Sequence, residues 1–308
     1  MKPIRLRDFI QDMDGWYYAV AAYDNENRAG CILRYIPDSS GDRKDETGRQ
    51  YRKVEFEEAY QLITDFKPEW AALVHRIPLG EIANILKPDE QIHSLAKKNE
   101  KVSKLVTSLS LPTGCFGVTG SLLCGLGSVT SDIDGVVYGD AFRQAQRQLE
   151  KGFHTGNIEP LDENLWRIVY NKRKPEINYE EFLLHEKRKL NRGQVDGTYF
   201  DLLYTRAYHD LFGFVMERGD VLDRMTIEAT VTGDQFAFDS PAIYEIDHPE
   251  ISRVLSFTHT YTGQARAGER IEVRGVIERH GSELWLIVGT TREAKDEWIR
   301  SLTLLEDL

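Results

Sequence analysis

The stretch GSLLCGLGSVTSDIDGVVYG, residues 120–139, decides the fold class of this 308-residue chain. Ile133, Val136 and Val137 give its second half the branched apolar character that is typical of a β-strand. A shorter apolar run at residues 115–119 precedes it and predicts another strand. Two carboxylates therefore lie within the second strand, and a Gly-Ser turn separates it from the first.

Asp132 and Asp134 are predicted to project from one face of that strand, because side chains alternate and Ile133 enters the core between them. Like charges held so close are unfavourable and raise the pKa of at least one carboxyl. A divalent cation reverses that cost, and Mg²⁺ commonly takes one or two protein carboxylates together with substrate phosphates. The pair therefore favours a metal-nucleotide site over a metal cage built from protein alone.

Asp201 lies in the otherwise apolar and β-prone run TYFDLLY, residues 198–204. An aspartate is depleted in such strands and is costly to bury without a partner. If this strand lies beside the Asp132–Asp134 strand, a third carboxylate completes a two-metal site. Asp196, in the turn-like GQVDG, is interpreted as structural.

Gly120 and Ser121 are residue types that suit binding to the phosphates of a nucleotide. Glycine lets the backbone approach a phosphate closely, and the serine hydroxyl and neighbouring amides can donate to its oxygens. No lysine follows in the Walker arrangement, so the segment is not a P-loop.

The Gly-Ser, Asp-x-Asp and later Asp series resembles the DNA polymerase beta superfamily of nucleotidyltransferases. The resemblance covers about the middle third of the chain, between Gln91 and Tyr204. The stretch at residues 139–197, before the third acid, is long and partly basic, and in this it departs from compact members of the superfamily. The resemblance implies that the metals, Mg²⁺ with Mn²⁺ as a substitute, bind the carboxylates and that the Gly-Ser pair holds the triphosphate of a nucleoside triphosphate substrate. The implied metal-binding and catalytic residues are Asp132, Asp134 and Asp201, and the implied nucleotide-binding residues include Gly120 and Ser121.

We predict an α+β protein of three domains. An N-terminal α+β domain occupies residues 1–90, a central mixed-sheet nucleotidyltransferase domain residues 91–224, and a small β-barrel, with an OB-like form as one option, residues 225–308. The last assignment follows from strand-like runs separated by turn signals such as GD, AGE and HGSE.

Local patterns predict several elements outside the acidic strands. Aromatic and branched runs at residues 15–23 and 29–36 predict a hairpin, and the polar residues 37–48 predict a mobile loop. Helical spacing at residues 56–66 predicts a helix. Residues 89–110 predict one continuous amphipathic helix, with Asp89 as its cap.

The chain has 39 basic and 50 acidic residues, a net charge of -11, so any polyanion partner needs a local basic patch. The segment 167–192 is one candidate, with eight cations against four glutamates. Its residues Lys187, Arg188 and Lys189 are predicted to face the nucleotide or the acceptor, and a solvated helix end is an equal alternative.

No apolar window long enough for a membrane span and no signal peptide is present, which favours a cytoplasmic protein without a membrane partner. Three widely spaced cysteines suit neither a disulfide framework nor a thiolate zinc site. The eight histidines show no paired metal spacing, and none is assigned to catalysis.

The expected activity is Mg²⁺-dependent transfer of a nucleoside monophosphate to an acceptor hydroxyl, with release of pyrophosphate. An RNA end is the favoured acceptor and a protein hydroxyl is another. The alternative function is a non-catalytic nucleic-acid-binding adaptor that retains the nucleotidyltransferase fold. Three retained acids argue against the adaptor, because a decayed site is expected to lose a costly carboxylate.

Overall fold

The computed structural model describes residues 2–128, 130–211, 218–291 and 293–306. In this part of the chain eight helices accompany three separate sheets, so the fold class is α+β, as predicted. The chain forms two compact units. Unit 1 comprises residues 1–160 and 191–215, and unit 2 comprises residues 161–190 and 216–308.

An antiparallel sheet of seven strands opens unit 1, in the order β4-β5-β3-β2-β1-β7 with β6 paired to β3. Helix α1, Phe56–Phe66, packs against β3 and confirms the predicted helix. The predicted hairpin is confirmed by the antiparallel pairing of β2 with β3. The strands are β1 (Phe9–Asp12), β2 (Tyr17–Val20), β3 (Arg28–Pro37), β4 (Arg43–Lys44), β5 (Gln50–Lys53), β6 (His75–Pro78) and β7 (Ile82–Leu86).

The polar segment 37–48 is more ordered than predicted. It contains β4, which pairs with β5 in a short antiparallel hairpin. The Asp45 carboxylate accepts hydrogen bonds from the backbone amides of Thr47 (2.9 Å) and Arg49 (2.9 Å), which closes the turn. An aspartate that satisfies its own turn in this way explains why a polar run became a hairpin.

The second sheet of unit 1 has four strands in the order β10-β11-β9-β8. Strand β11 runs parallel to β9, and the two outer pairings are antiparallel, so this central sheet is mixed. Helices α2 and α5 pack against β8 and β9, and α3 packs against both of these helices. The elements are α2 (Pro88–Lys98), α3 (Glu100–Leu109), β8 (Phe116–Val118), α4 (Gly120–Leu123), β9 (Ile133–Tyr138), α5 (Ala141–Thr155), β10 (Arg192–Val195) and β11 (Thr198–Thr205).

The single helix predicted over residues 89–110 is wrong. The backbone of Asn99 is extended (φ -132°, ψ 109°), and its side chain accepts hydrogen bonds from the amides of Lys101 and Val102. Asn99 therefore caps a second helix and interrupts the first, because a side chain that satisfies free amides favours a helix start. The cap of the first helix is Lys87, and Asp89 lies in its first turn.

Unit 2 contains two helices from the middle of the chain and the C-terminal sheet. The strands form a mixed sheet in the order β12-β13-β14-β16-β15-β17, and β12 also pairs with β15. These pairings close a ring of hydrogen-bonded strands. The elements are α6 (Glu163–Arg173), α7 (Tyr179–Lys189), β12 (Asp220–Gly233), β13 (Ala242–Asp247), β14 (Ile251–Ser256), β15 (Arg270–His280), β16 (Glu283–Val288), β17 (Trp298–Ser301) and α8 (Leu302–Leu305).

The division into domains at residues 90 and 224 stays a prediction. Within the described residues, no helix is long and apolar enough to cross a membrane. Cys31, Cys115 and Cys124 are free, in keeping with the absence of a predicted disulfide framework.

A buried arginine joins the N-terminal segment to the rest of unit 1. The Arg5 guanidinium lies between the rings of Tyr138 and Tyr208, 3.7 Å and 3.8 Å from their centroids. It also forms an ion pair with Asp89 at 3.0 Å, and Arg5 is only 1% exposed. Stacking on two rings and a buried carboxylate together hold the segment in place.

Replacing Arg5 with Gln is expected to lower the free energy of unfolding by about 3 kcal/mol, since removal of one partner leaves a buried charge uncompensated. Lys53→Gln is the control, because Lys53 forms an exposed pair with Glu55 that is worth less than about 1 kcal/mol. Urea unfolding followed by circular dichroism measures both. Equal losses in the two variants would contradict the anchoring role of Arg5.

Candidate active site

Parallel pairing of β9 with β11 brings two of the predicted carboxylates together. In this register Asp201 lies directly beside Asp134. Neighbours in a parallel pair share a face of the sheet, so the two side chains emerge on the same side. Asp132 immediately precedes β9, is exposed, and is separated from Asp134 by the buried Ile133. The two strands that carry the acidic residues, β9 and β11, are therefore adjacent in the sheet, as predicted.

The backbone of Gly120 approaches the Asp134 carboxylate closely. A Cβ atom placed on Gly120 would lie 2.5 Å from Oδ2 of Asp134, and Gly120 has a φ of +70°. Both conditions require glycine. The amide of Thr119 donates to the Asp134 carbonyl oxygen at 2.9 Å, which fixes the start of α4 against β9.

The electrostatics of Asp134 reflect its two acidic neighbours. Burial and, after it, the charges of Asp201 and Asp132 raise the pKa of Asp134 to about 6. The guanidinium groups of Arg7 and Arg34 oppose this rise of the pKa. The three carboxylates therefore repel one another across a short range, and a cation placed among them would be stabilised.

Two neighbours orient the Asp201 carboxylate. Its Oδ1 accepts a short hydrogen bond from Nε of Arg192, the residue opposite it on β10, and its Oδ2 accepts one from the Tyr199 hydroxyl at 2.9 Å. The Arg192 side chain is buried, and the ion pair compensates its charge. The sequence analysis counted Arg192 as part of the basic segment. It missed the contact with Asp201, because local composition does not reveal the pairing of β10 with β11.

Ser121 contacts the loop that precedes the acidic strand. Its hydroxyl donates to Oγ of Ser131 at 3.4 Å, and the same Oγ accepts from the Ser128 amide at 2.9 Å. The Gly-Ser turn thus contacts both the loop and the acidic strand. Its position suits the phosphate-binding role that the resemblance implies.

Two arginines near Asp134 come from the N-terminal part of unit 1 and were missed by sequence reasoning. Arg7 has a φ of +72°, uncommon for a residue with a side chain, and its carbonyl accepts from the Thr119 hydroxyl at 2.7 Å. Arg34 lies within the apolar run of β3. A charged residue in an apolar strand is the signal that singled out Asp201, and it applies equally to Arg34.

The cations Lys187, Arg188 and Lys189 belong to unit 2. Arg188 forms an ion pair with Glu269 and donates to the Gln264 carbonyl at 2.7 Å. Lys189 is 2% exposed, pairs with Glu186 and donates to the Thr260 carbonyl at 2.9 Å. A solvated helix end describes only the exposed Lys187. Arg188 and Lys189 carry no uncompensated charge for a phosphate.

Most cations of the basic segment, residues 167–192, are likewise paired with carboxylates. Six of its eight cations form ion pairs with carboxylates: Arg167 with Glu163, Arg173 with Glu186, Lys174 with Glu293, Arg188 with Glu269, Lys189 with Glu186, and Arg192 with Asp201. The segment is therefore largely neutralised within the chain.

The donor set indicates how a metal ion would be held. Across residues 2–128, 130–211, 218–291 and 293–306, no group of three or more His, Cys, Asp and Glu side chains is arranged to hold a metal ion. Both oxygens of Asp201 already accept hydrogen bonds. Carboxylate oxygens at Asp132 and Asp134 fit Mg²⁺ when substrate phosphates complete its coordination.

Comparison with known proteins finds a relative along almost the whole chain. The uncharacterized protein MJ1086 of Methanocaldococcus jannaschii is 37% identical over 335 aligned positions, which cover 96% of this chain and 98% of that protein. No family model matches the chain. No solved structure matches it either.

Replacement of Gly120 with Ala is expected to destabilise the protein more than Gly125→Ala, by about 1–3 kcal/mol. Both glycines have a left-handed backbone, with φ of +70° and +69°, but a Cβ at Gly125 meets nothing within 4 Å. The difference between the variants therefore isolates the contact with Asp134. Denaturant unfolding of both proteins measures it, and equal losses would refute the close approach.

Asp134→Asn is expected to stabilise the protein above pH 6. The folded-state pKa of about 6 exceeds the ordinary aspartate pKa of 3.8, so wild-type stability falls as pH rises from about 4 to about 6. Asparagine does not titrate, and the variant should gain about 1–3 kcal/mol relative to wild type at pH 8 compared with pH 4. Urea unfolding at the two pH values measures the gain.

Asp196→Asn is the matched control for this pH dependence. Asp196 lies in the turn between β10 and β11, and its carboxylate accepts from Nζ of Lys104. Its removal should give no gain at pH 8. A constant difference between Asp134→Asn and wild type at both pH values would contradict the raised pKa of Asp134.

Proposed function

We propose that this chain, which belongs to the same family as the Methanocaldococcus jannaschii protein MJ1086, is a nucleotidyltransferase. It would transfer a nucleoside monophosphate from a nucleoside triphosphate to an acceptor hydroxyl and release pyrophosphate. One observation carries the proposal: the β9–β11 register sets Asp201 beside Asp134, and the Gly120 backbone contacts the same Asp134 carboxylate. This arrangement supports the resemblance to the Gly-Ser, Asp-x-Asp and third-acid pattern of the DNA polymerase beta superfamily.

Mg²⁺, or Mn²⁺ in its place, is the cofactor in this proposal. Asp132 and Asp134 would hold it, and Asp201 would adjoin the pair. When bound, the ion would neutralise the carboxylates and the phosphates and polarise the reacting groups. The raised pKa of Asp134 supports this assignment, because burial and then repulsion by Asp201 and Asp132 disfavour its charged form, and a cation would offset that cost.

The side chains would then divide the work. Arg192 and Tyr199 fix the orientation of Asp201, so that its carboxylate can accept a hydrogen bond from the acceptor hydroxyl. Gly120 and Ser121 would hold the phosphates at the start of α4. Positioning and charge neutralisation supply most of the rate in phosphoryl-type transfers, and these residues provide both.

The acceptor in this proposal is an RNA end or a protein hydroxyl. The argument for RNA drew on the basic segment, whose cations are largely paired with carboxylates. Because Arg188 and Lys189 are paired and Lys187 lies at an exposed helix end, the proposed nucleotide site does not rest on these three residues. For the ring of strands in unit 2 we propose a small β-barrel, a fold that often presents binding surfaces.

The direct test is transfer of label from each α-labelled nucleoside triphosphate, with Mg²⁺ and either total RNA or protein extract as acceptor. Asp132→Asn and Asp134→Asn should lower transfer by at least about 100-fold, since loss of a metal-binding carboxylate removes transition-state stabilisation. Asp196→Asn, with its carboxylate in a turn, should remain active. Retention of label by RNA or by protein identifies the acceptor.

Two results would count against the proposed function. One is the absence of label in both fractions with all four nucleotides. The other is near-normal transfer by Asp132→Asn or Asp134→Asn in samples whose unfolding curves match a folded protein.

A further inference from the structure

One face of the N-terminal sheet packs directly on the segment that follows Gly120 and Ser121. Arg43 of β4 donates to the Leu126 carbonyl oxygen at 3.0 Å and strengthens the contact. The N-terminal sheet therefore belongs to unit 1, together with the acidic strands. The buried apolar cluster at this contact joins Phe9, Tyr17, Tyr35 and Tyr51 of the sheet to Leu123, Cys124 and Leu126.

A β-bulge in this sheet places an arginine at the contact. Tyr17 of β2 pairs with Tyr35, and the next residue, Tyr18, pairs with Leu33, so Arg34 is the extra residue of β3. A bulge re-aims the side chain of its extra residue. In a strand without a bulge, the Arg34 side chain would point to the face opposite that of Leu33 and Tyr35.

Electrostatic effects on its neighbours place the Arg34 charge near the residues that follow Gly120 and Ser121. Burial raises the pKa of Tyr35 to about 12 and that of Cys124 well above its usual value, and the charge of Arg34 opposes both shifts. Tyr35 and Cys124 belong to the apolar contact described above. The Arg34 charge also reaches Asp134. The packing of Tyr35 on Cys124 and these electrostatic effects together put the Arg34 charge near Cys124 and Asp134.

Arg34 is half-buried, yet its guanidinium forms no hydrogen bond or ion pair with any residue that the structure describes. This contrasts with Arg192, whose short hydrogen bond to Asp201 compensates its charge. The guanidinium donors of Arg34 are therefore available to an anionic ligand that occupies the site. A guanidinium matches phosphate in geometry, with two donors side by side.

We propose that Arg34 is a nucleotide-binding residue, contributed by the N-terminal sheet, which contacts the terminal phosphates of the nucleoside triphosphate. The inference rests on the proposed function, because it assumes that a metal-bound nucleotide occupies the site at Asp132, Asp134 and Gly120. It assigns the N-terminal sheet a direct part in substrate binding. It also predicts preference for triphosphates over monophosphates.

The test compares Arg34→Gln and Arg34→Lys with Arg28→Gln, a control on the same strand. Arg28 is exposed and donates to the carbonyls of Glu69 and Arg76. Isothermal titration with Mg²⁺ measures the affinity for each of the four nucleoside triphosphates, the matching monophosphates and inorganic tripolyphosphate. Tripolyphosphate probes the phosphate contacts without a base.

Arg34→Gln is expected to weaken triphosphate and tripolyphosphate binding about tenfold or more, the worth of a hydrogen bond between charged groups. Monophosphate affinity should stay at the wild-type value, because its single phosphate does not reach the terminal position. Arg34→Lys should lose less affinity, since it keeps the charge without the paired donors. Arg28→Gln should bind like wild type.

The outcomes separate this inference from the proposed function. If wild type binds Mg²⁺-triphosphates and Asp134→Asn abolishes that binding, but folded Arg34→Gln and Arg34→Lys bind normally, the role of Arg34 is overturned and the proposed function stands. Equal weakening of monophosphate and triphosphate binding by Arg34→Gln would also overturn the contact with terminal phosphates. Wild-type protein that binds no nucleoside triphosphate would overturn both.

Discussion

Repulsion between carboxylates that the backbone forces together is the constraint on which the rest of the site depends. Parallel pairing of β9 with β11 fixes Asp134 beside Asp201, whatever the charges of the two side chains. The chain compensates one of them within the sheet, through Arg192 on the neighbouring strand. For Asp134, burial and the charges of Asp201 and Asp132 raise the pKa, and this rise records the remaining cost. A site with residual negative charge is prepared for a cation.

The close approach of Gly120 to Asp134 extends this constraint to the N-terminal sheet. A Cβ on Gly120 would overlap the Asp134 carboxylate, so the start of α4 lies close to β9. The residues that follow pack on the aromatic face of the N-terminal sheet, in a cluster that includes Leu123 and Tyr35. The sheet and the acidic strands therefore belong to one unit, although their sequences suggest separate domains.

Sequence patterns predicted the features that depend on local alternation. The β2–β3 hairpin, helix α1 and the strand character around Asp134 and Asp201 all follow from period and composition. The helix break at Asn99 was missed because the apolar spacing continues across it. The Asn99 side chain caps the second helix, and the backbone there is extended. The partners of Asp201 were missed because Arg192 and Asp201 meet only through the register of a hairpin.

The basic segment shows why a charge count cannot identify a binding surface. Eight cations against four glutamates is a real excess within residues 167–192, but ion pairs form in space, and Glu269 and Glu293 lie about 100 residues further along the chain. Once those carboxylates are included, the excess is largely cancelled, and the net charge of -11 keeps its repulsion toward polyanions. Arg34 presents the opposite case. It is a single cation in an apolar strand, where no count would single it out, and within the described residues its charge is not cancelled by an ion pair. A guanidinium near the acids that forms no ion pair therefore indicates a ligand more specifically than a larger number of charges that already have partners.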